Sequence, residues 1–237
     1  MPTLTPEARR ALAGYLNFQR EMGVERVRFP GGVAAVAAPP ARSSTVSGET
    51  LAVIETDLGA DCRRCKLAEG RNKIVFGSGN PHADLVFVGE GPGADEDAQG
   101  LPFVGRGGQL LTDMIEKGMK LRRADVYICN VVKCRPPGNR TPEADEISAC
   151  SPFLMRQLRS IRPKMVCALG ATAAQALRPF KGPLGAVRGR IHTLSLGDFE
   201  TRLVVTYHPA YLLRDPSQKR EAWKDLQLIM EFLCLKN

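Results

Sequence analysis

The amino-acid sequence predicts an α/β fold, a three-layer α/β/α domain around a central, mainly parallel four-stranded sheet. The first observation is a set of four short apolar runs rich in β-branched residues, at 84–89, 125–132, 164–169 and 202–207. The second is that helical patterns lie between or after these runs, at 108–120, 143–161, 171–178 and 218–235. Short hydrophobic strands separated by helices are typical of a parallel sheet that is covered on both faces.

The first 48 residues differ in composition from the rest and are predicted to form a separate segment. Residues 5–23 predict a helix, because Thr5 can cap it, Pro6 suits its first turn and apolar residues recur along one face. Residues 29–48 are mainly Pro, Gly, Ala, Ser and Thr without a period, which predicts a linker. The remaining residues, 49–237, are expected to form one larger domain.

The charge balance of the chain favours an anionic partner. Lys and Arg number 33 against 25 Asp and Glu in 237 residues, a formal net charge of +8, which favours nucleic acid. The stretch FPGGVAAVAAPPA is interrupted by proline and glycine, so we expect neither a signal segment nor a membrane span. We therefore expect a cytoplasmic monomer with no membrane partner.

Functional residues are expected at the carboxyl ends of the strands, because ligands of parallel sheets bind there. GEGPGADED at 89–97 follows the first strand and satisfies a loose dinucleotide-binding fingerprint. Two features argue against that interpretation: AQGLPFVGRGGQ intervenes before the next helix, and the four acidic residues of the segment would repel phosphates. Clustered carboxylates suit a site that stabilises a cation or positions a water molecule.

Two further polar residues follow other strands. Asn130 lies near the end of the second strand, and its amide can accept from uracil N3–H and donate to uracil O4. His208 follows the fourth strand, at the same predicted sheet edge as Glu90. Taken alone, each has an ordinary structural alternative, a turn or capping asparagine and a histidine of a strand–loop junction.

The seven cysteines divide into two groups. Cys129 and Cys167 fall in apolar strands and Cys234 is placed on the last helix, so these three are interpreted as core residues. The other four lie in loops or at a helix start, Cys62 and Cys65 as C-x2-C and a distant pair at Cys134 and Cys150. Four such thiols predict a metal centre, and their spacing does not separate zinc from an iron–sulfur cluster.

Taken together, these motifs resemble the family 4 uracil-DNA glycosylases, the iron–sulfur branch of that superfamily. The resemblance covers roughly residues 50–235. It is carried by C-x2-C at 62–65, GEGPGADEDAQGLPFVGRGGQLL at 89–111, NVVKCRPPGNRTP at 130–142 and HPAYLLR at 208–214. It implies a [4Fe-4S] cluster on Cys62, Cys65, Cys134 and Cys150. It also implies hydrolysis of the N-glycosidic bond of deoxyuridine in DNA, which makes 49–237 a catalytic domain.

The resemblance also implies roles for single residues. Phe103 would stack on the extruded uracil, Asn130 would read its edge, and the backbone of Glu90, Gly91 and Pro92 would line the pocket. His208 would donate a hydrogen bond to uracil O2 as the base leaves as an anion. Glu90 would orient water or stabilise the sugar cation, and two further acids are possible helpers, Glu96 and Asp97.

The chain departs from relatives within that superfamily at two positions. Gly91 stands where some members have a water-activating aspartate, and Gly93 stands where some have a tyrosine that excludes thymine. A further branch traps DNA covalently through a histidine in the segment before the last cysteine. The corresponding segment here, 131–150, contains no histidine, which favours turnover.

Contacts with DNA are predicted from the basic and apolar residues of the same loops. Leu212 or Leu213 would wedge into the base stack. The candidate phosphate contacts are arginines, Arg135, Arg140, Arg188, Arg190 and Arg214. The alternative functional hypothesis is a non-catalytic iron–sulfur module that binds DNA or senses damage. The joint presence of Glu90, Asn130 and His208 favours the enzyme, because binding alone needs no anion stabiliser beside a carboxylate.

Overall fold

The computed structural model describes residues 26–29, 32–35 and 49–235. The chain divides into two compact units, Met1–Ser47 and Gly48–Asn237. In the described part of the first unit, strands β1 (Arg26–Phe29) and β2 (Gly32–Ala35) form an antiparallel hairpin. Strand β2 lies within the segment 29–48 that was predicted to be a linker, so this part of the segment is paired strand. The predicted helix at 5–23 lies outside the described residues.

The second unit contains one mixed sheet of six strands. They are β3 (Ser78–Gly79), β4 (Leu85–Gly89), β5 (Tyr127–Asn130), β6 (Met165–Leu169), β7 (Ile191–Ser195) and β8 (Glu200–Thr206). Their order is β3-β5-β4-β6-β8-β7, and the four central strands are parallel. The central strands are the four predicted ones, so a mainly parallel sheet is confirmed.

The two outer strands correct the predicted strand count. Both pair antiparallel at the edges, β3 with β5 and β7 with β8. Strand β3 has two residues and strand β7 is mostly exposed, so neither presents the continuous apolar run by which the buried strands were recognised. The described part of the second unit therefore has six strands where four were expected.

Seven α-helices are described in this unit. They are α1 (Leu51–Leu58), α2 (Ala94–Gln99), α3 (Arg106–Asp113), α4 (Ala144–Ile161), α5 (Ala171–Leu177), α6 (Pro209–Arg214) and α7 (Lys219–Phe232). The four predicted helices correspond to α3 with a following π-helical turn, α4, α5 and α7. Helices α1, α2 and α6, with eight, six and six residues, were not among the predicted helices.

The helices cover both faces of the sheet. Alternate residues of a strand point to opposite faces, and those of β4 do so here. Val86 and Val88 pack in one buried cluster with α4 and α5, whereas Leu85 and Phe87 pack in another with α3 and α7. This arrangement confirms the three-layer α/β/α prediction. None of the described helices is long and apolar enough to cross a membrane.

Candidate active site and cysteine centre

The carboxyl ends of the four parallel strands bring the predicted residues to one edge of the sheet. Strand β4 ends at Gly89 and is followed by Glu90, while Asn130 ends β5 directly beside Gly89. Helix α5 begins after β6, and His208 follows β8. Parallel strands end on the same side, so four separate segments of the chain meet at this edge.

Asn130 has a buried side-chain oxygen that the protein leaves unpaired. The residue is 1% exposed, and its Oδ1 has no hydrogen-bond partner among the described residues. A Cβ on Gly89 would lie 2.4 Å from this Oδ1 and 2.5 Å from Cζ of Phe103, so the missing side chain lets both groups approach the strand end. An unpaired buried acceptor costs about 1–3 kcal/mol. The amide is therefore arranged for a donor that the protein does not supply.

Glu90 is held by a residue of helix α5. Its Oε2 accepts a short hydrogen bond from Oγ1 of Thr172, and its carbonyl oxygen accepts from N of Val132 at 3.1 Å. A Cβ on Gly91 would lie 2.7 Å from Cγ2 of Val132. An aspartate at position 91 would therefore need a backbone shift, which gives a physical reason for the departure from some relatives.

His208 is the N-cap residue of α6, and this role defines its tautomer. Its Nδ1 accepts from N–H of Ala210 at 3.2 Å, so a neutral ring carries its proton on Nε2. Burial, followed by the positive charge of Arg214, lowers the pKa of His208 to about 4. At neutral pH the imidazole is thus uncharged and Nε2–H is the free donor.

Phe103 lies against His208 in an uncommon backbone conformation. The ring centroids are 5.6 Å apart, and Phe103 has φ 53°, in the left-handed region. Such a conformation costs about 1–3 kcal/mol and persists only when neighbours hold it. Oε1 of Glu96 accepts from N of Val104 and N of Gly105, both at 2.9 Å. Nη2 of Arg123 donates to the carbonyl oxygen of Pro102 at 2.8 Å on the other side.

Glu96 and Asp97, proposed as catalytic helpers, are engaged in holding loops. Besides the two bonds above, Glu96 accepts from N of Gly93 at 3.0 Å, which caps helix α2. Asp97 is fully buried, and its Oδ1 accepts from N of Asn72 at 2.9 Å. It also accepts from N of Lys73 at 3.3 Å. These oxygens already accept backbone amides, which favours a loop-holding role for both acids beside the predicted helper role; the same amides are unavailable to a dinucleotide phosphate.

The four predicted ligand cysteines are free thiols of two different exposures. Cys134 and Cys150 are buried, while Cys62 and Cys65 are half-buried. Burial raises the pKa of the Cys134 thiol to about 11, and the neighbouring Cys150 and Cys65 contribute in the same direction. Among the described residues, no three His, Cys, Asp or Glu side chains are arranged to hold a metal ion.

Three of the four sulfurs accept a hydrogen bond from a nitrogen. Arg64 Nη1 lies 3.5 Å from Sγ of Cys62, Arg71 Nη1 lies 3.7 Å from Sγ of Cys134, and the amide of Lys133 lies 3.3 Å from Sγ of Cys150. Arg71 also donates to the carbonyl oxygen of Cys62 at 2.6 Å. Such donors stabilise sulfur ligands that carry negative charge, so the donor set fits a thiolate-bound iron–sulfur group.

The remaining cysteines differ from one another. Cys129 and Cys167 are fully buried in β5 and β6, as predicted. Cys234 is exposed and lies beyond the end of α7, so the prediction of a core residue was wrong there. Cys234 follows the helix end at Phe232 and has a left-handed backbone conformation, and its neighbours Leu233 and Leu235, not Cys234, pack against the core.

The predicted DNA contacts fall into two sets. Arg140 is paired with the buried Glu146 and Arg188 with the buried Asp225, so both guanidinium groups serve the fold. Leu212 is 1% exposed and Leu213 is 37% exposed, which leaves Leu213 as the available wedge. Among the described residues three of the predicted arginines form no ion pair, Arg135, Arg190 and Arg214.

Sequence reasoning missed several residues around this edge. Thr172 lies at one of the predicted strand ends but was given no role, and Arg123 gave no signal, because each acts through a contact between segments distant in the chain. Lys133 could have been noticed, since NVVKC places a lysine within a run that is otherwise apolar. It is fully buried beside Gln157, to which its Nζ donates at 2.6 Å.

The fold and the site define a class: an α/β/α protein with a carboxylate, a buried amide and a neutral imidazole at the carboxyl edge of a parallel sheet. The model of the uracil DNA glycosylase superfamily matches residues 76–227. The chain belongs to that superfamily.

Several relatives have names that specify a type within this superfamily. The type-4 uracil-DNA glycosylase of Saccharolobus solfataricus is 43% identical over 190 residues, 76% of this chain and 87% of the relative. The type-4 uracil-DNA glycosylase of Thermotoga maritima is 43% identical over 188 residues, 78% of this chain and 96% of the relative. A type-5 uracil-DNA glycosylase of Pyrobaculum aerophilum is 37% identical over 87 residues, 37% of each chain. The similarity is thus most extensive to type-4 proteins.

Proposed function

We propose that the protein excises uracil from DNA by hydrolysing the N-glycosidic bond, which leaves an abasic site for base excision repair. The observation that carries the proposal is the unpaired, buried Oδ1 of Asn130 at the strand edge where Glu90, Phe103 and His208 also lie. The similarity to type-4 uracil-DNA glycosylases over most of the chain supports it.

Base recognition would begin when the nucleotide leaves the stack, at a cost of a few kcal/mol. The ring of Phe103 would stack on the extruded uracil, and the backbone of Glu90, Gly91 and Pro92 would line the pocket. Oδ1 of Asn130 would accept from uracil N3–H and its amide nitrogen would donate to O4. Cytosine presents the reverse polarity on this edge, so it would leave the buried Oδ1 of Asn130 facing another acceptor.

Departure of the base would be assisted by His208. The electron pair of the breaking C1′–N1 bond moves onto uracil, which becomes an anion, and Nε2–H of the neutral imidazole would donate to O2. A neutral donor stabilises the anion without transferring its proton. One such preorganised donor is worth about 3 kcal/mol in a transition state.

Glu90 would act on the sugar side of the broken bond. The sugar becomes oxocarbenium-like, and a carboxylate held by Thr172 through Oε2 leaves Oε1 for a water molecule. The water oxygen would bond to C1′ and its proton would pass to Glu90 or to solvent. The products are free uracil and an abasic deoxyribose.

We also propose that Cys62, Cys65, Cys134 and Cys150 bind a [4Fe-4S] cluster. The thiol donor set and the three N–H donors to sulfur support this assignment. The cluster would cross-link the loop at 60–74 to the segment after Asn130. We propose no redox step for it. Quantified iron and acid-labile sulfide test it: Cys134→Ser should lose both, and the exposed Cys234→Ser should retain both. Equal retention in the two variants would refute the ligand assignment.

DNA would be held by the residues that the fold leaves free. Leu213 would act as the wedge, and Arg135 and Arg214 would contact phosphates. Arg190, whose Nη2 donates to the carbonyl oxygen of Ala186, is a further candidate. None of the seven cysteines, all of which lie in the described part of the chain, forms a disulfide, which supports our proposal of a reducing, cytoplasmic setting. A monomer is proposed, and sizing at working concentration tests it.

The experiment that tests the function uses a labelled oligonucleotide with one uracil, treated with hot alkali after incubation and run on a denaturing gel. Cleavage at the uracil supports excision. Asn130→Ala and His208→Ala should lower the excision rate far more than the affinity for DNA. An intact strand from iron-loaded protein that binds DNA would overturn the proposal and favour the non-catalytic module.

A further inference from the structure

We infer that Lys133 is a positioning residue for Asn130, and that it links the base-reading amide to the cysteine centre. The inference rests on the proposed function and names a residue that the proposed chemistry does not itself use. It starts from an unusual fact, a fully buried lysine in a strand end otherwise made of apolar residues. Lysine is almost never fully buried unless its ammonium group is paired.

The Nζ of Lys133 binds the peptide that carries Asn130. It donates to the carbonyl oxygen of Asn130 at 2.8 Å and to Oε1 of Gln157 at 2.6 Å. The ring of Phe76 lies beneath it, with the centroid 6.0 Å from Nζ. Gln157 is itself held, since its Nε2 donates to the carbonyl oxygen of Phe76 at 3.0 Å. Lys133 is thus a rigid brace between helix α4 and the last peptide of strand β5.

Lys133 binds at the point where the backbone hydrogen bonds between strand β5 and its neighbour β4 end. The amide groups of Val131 and Val132 still bond to the carbonyl oxygens of Gly89 and Glu90. The carbonyl oxygen of Asn130 instead accepts from Lys133, three residues on. Because the direction of a side chain follows its backbone, this bond helps to aim the Asn130 amide into the pocket.

The main chain of Lys133 belongs to the cysteine centre. Its N–H donates to Sγ of Cys150 at 3.3 Å, and its carbonyl oxygen accepts from N of Val75 at 2.8 Å. The next residue is Cys134. One residue therefore contacts the base-reading asparagine, a predicted cluster ligand and the segment that follows the Cys62–Cys65 loop, so a shift in the cysteine centre would reach Asn130 through Lys133.

The test is a double-mutant cycle of Lys133→Met with Asn130→Ala, measured as single-turnover excision. Methionine matches the length of lysine but cannot donate. In the wild-type background we expect Lys133→Met to slow excision by about tenfold or more; with Asn130→Ala already present it should add less than about threefold. The inhibition constant of free uracil should rise in Lys133→Met while the Kd for abasic DNA stays unchanged.

The matched control is Gln157→Leu, which removes the other partner of Nζ and leaves the bond to Asn130. We expect it to lower Tm as Lys133→Met does, with an excision rate within about threefold of wild type. Iron content is measured for every variant, so a loss of the cluster is seen separately. If Lys133→Met fails to fold, the same cycle is run with Lys133→Gln, whose shorter polar side chain does not place a donor at the position of Nζ.

The outcomes separate this inference from the proposed function. Additive losses in the cycle, or equal losses in Lys133→Met and Gln157→Leu, would overturn the positioning role while wild-type excision stands. A wild-type protein that does not excise uracil would overturn the function. The Kd for free uracil, measured by direct binding, would then still show whether Lys133 acts on Asn130.

Discussion

At the scale of the residue, each polar group of the site has one atom that is hydrogen-bonded within the protein and another that is left free. His208 accepts from Ala210 at Nδ1 and keeps Nε2–H free, Glu90 accepts from Thr172 at Oε2, and Asn130 is braced through its carbonyl oxygen. A group that is already oriented pays little for reorganisation when charge develops. The unsatisfied half of each group is therefore the half that we propose acts on the substrate.

His208→Asn is the sharpest single test of that arrangement. The shorter asparagine keeps an oxygen that can accept from N–H of Ala210, as Nδ1 does, but places no donor at the position of Nε2. Loss of that donor should lower the single-turnover excision rate by about 10²-fold, the usual effect of removing one preorganised donor to a developing anion. Affinity for abasic DNA should be unchanged. Tyr211→Phe on the same helix is the matched control, since it removes only a hydroxyl bond to Asp215. An equal loss of DNA affinity in His208→Asn would argue for a binding role.

The depressed pKa of His208 also predicts a pH dependence of stability. The folded-state pKa is about 4 and the ordinary value is 6.5, so between these pH values the unfolded chain holds more protons. The contribution of His208 is therefore fully present above pH 6.5 and is lost as pH falls toward 4. The advantage of wild type over His208→Asn in free energy of unfolding should shrink from pH 7 to pH 5 in urea melts. Parallel curves over this range would contradict a buried, neutral imidazole.

At the scale of the element, helix α2 supports the site without entering it. It has only six residues, yet Glu96 binds the two amides that follow Phe103 and Asp97 binds the loop at 72–73. The two loops that carry the stacking ring and the cysteines are thereby tied to one short helix. Two acids of the segment that was predicted to be a catalytic cluster therefore hold neighbouring loops in place through backbone amides.

Glu96→Ala distinguishes these two roles. Three amides lose their acceptor, so the free energy of unfolding should fall by about 2 kcal/mol. Excision should slow by about tenfold as Phe103 leaves its left-handed conformation. Thermal melts and single-turnover rates measure the two effects, with the exposed Gln99→Ala on the same helix as control. A slower rate with unchanged Tm would instead support Glu96 as a catalytic helper.

At the scale of the whole molecule, the superfamily match and every residue of the proposed site lie within Gly48–Asn237. This unit has its own buried cores on both faces of its sheet. Such a unit is expected to fold alone. The first 47 residues contribute no residue to the chemistry proposed above.

A truncated chain of residues 48–237 should therefore keep its iron and excise uracil at a rate within about threefold of the full chain. Iron analysis and the same gel assay measure both properties, with the full chain prepared in parallel as the control. A truncated chain that retains iron but loses most of its excision would show that the first unit takes part in catalysis or in DNA binding.

Much of the molecule could be predicted because its signals are local. Buried parallel strands are continuous apolar runs, so β4, β5, β6 and β8 were recognisable, whereas the short or exposed edge strands β3 and β7 were not. Strand ends drew attention to Glu90, Asn130 and His208, and spacing drew attention to four cysteines. Neither could tell Leu213 from Leu212, or a catalytic acid from a loop-holding one.

The sequence by itself determined the α/β class, a mainly parallel sheet of four apolar strands and the residue types at their carboxyl ends, because periodicity and strand termination are properties of neighbouring residues. Only the tertiary structure decided which polar groups are already paired. Glu96, Asp97, Arg140 and Arg188 are engaged by partners from other segments, while Oδ1 of Asn130 is left without one. Hydrogen bonds and burial depend on contacts between distant parts of the chain, and those contacts exist only once the sheet and its helices have assembled.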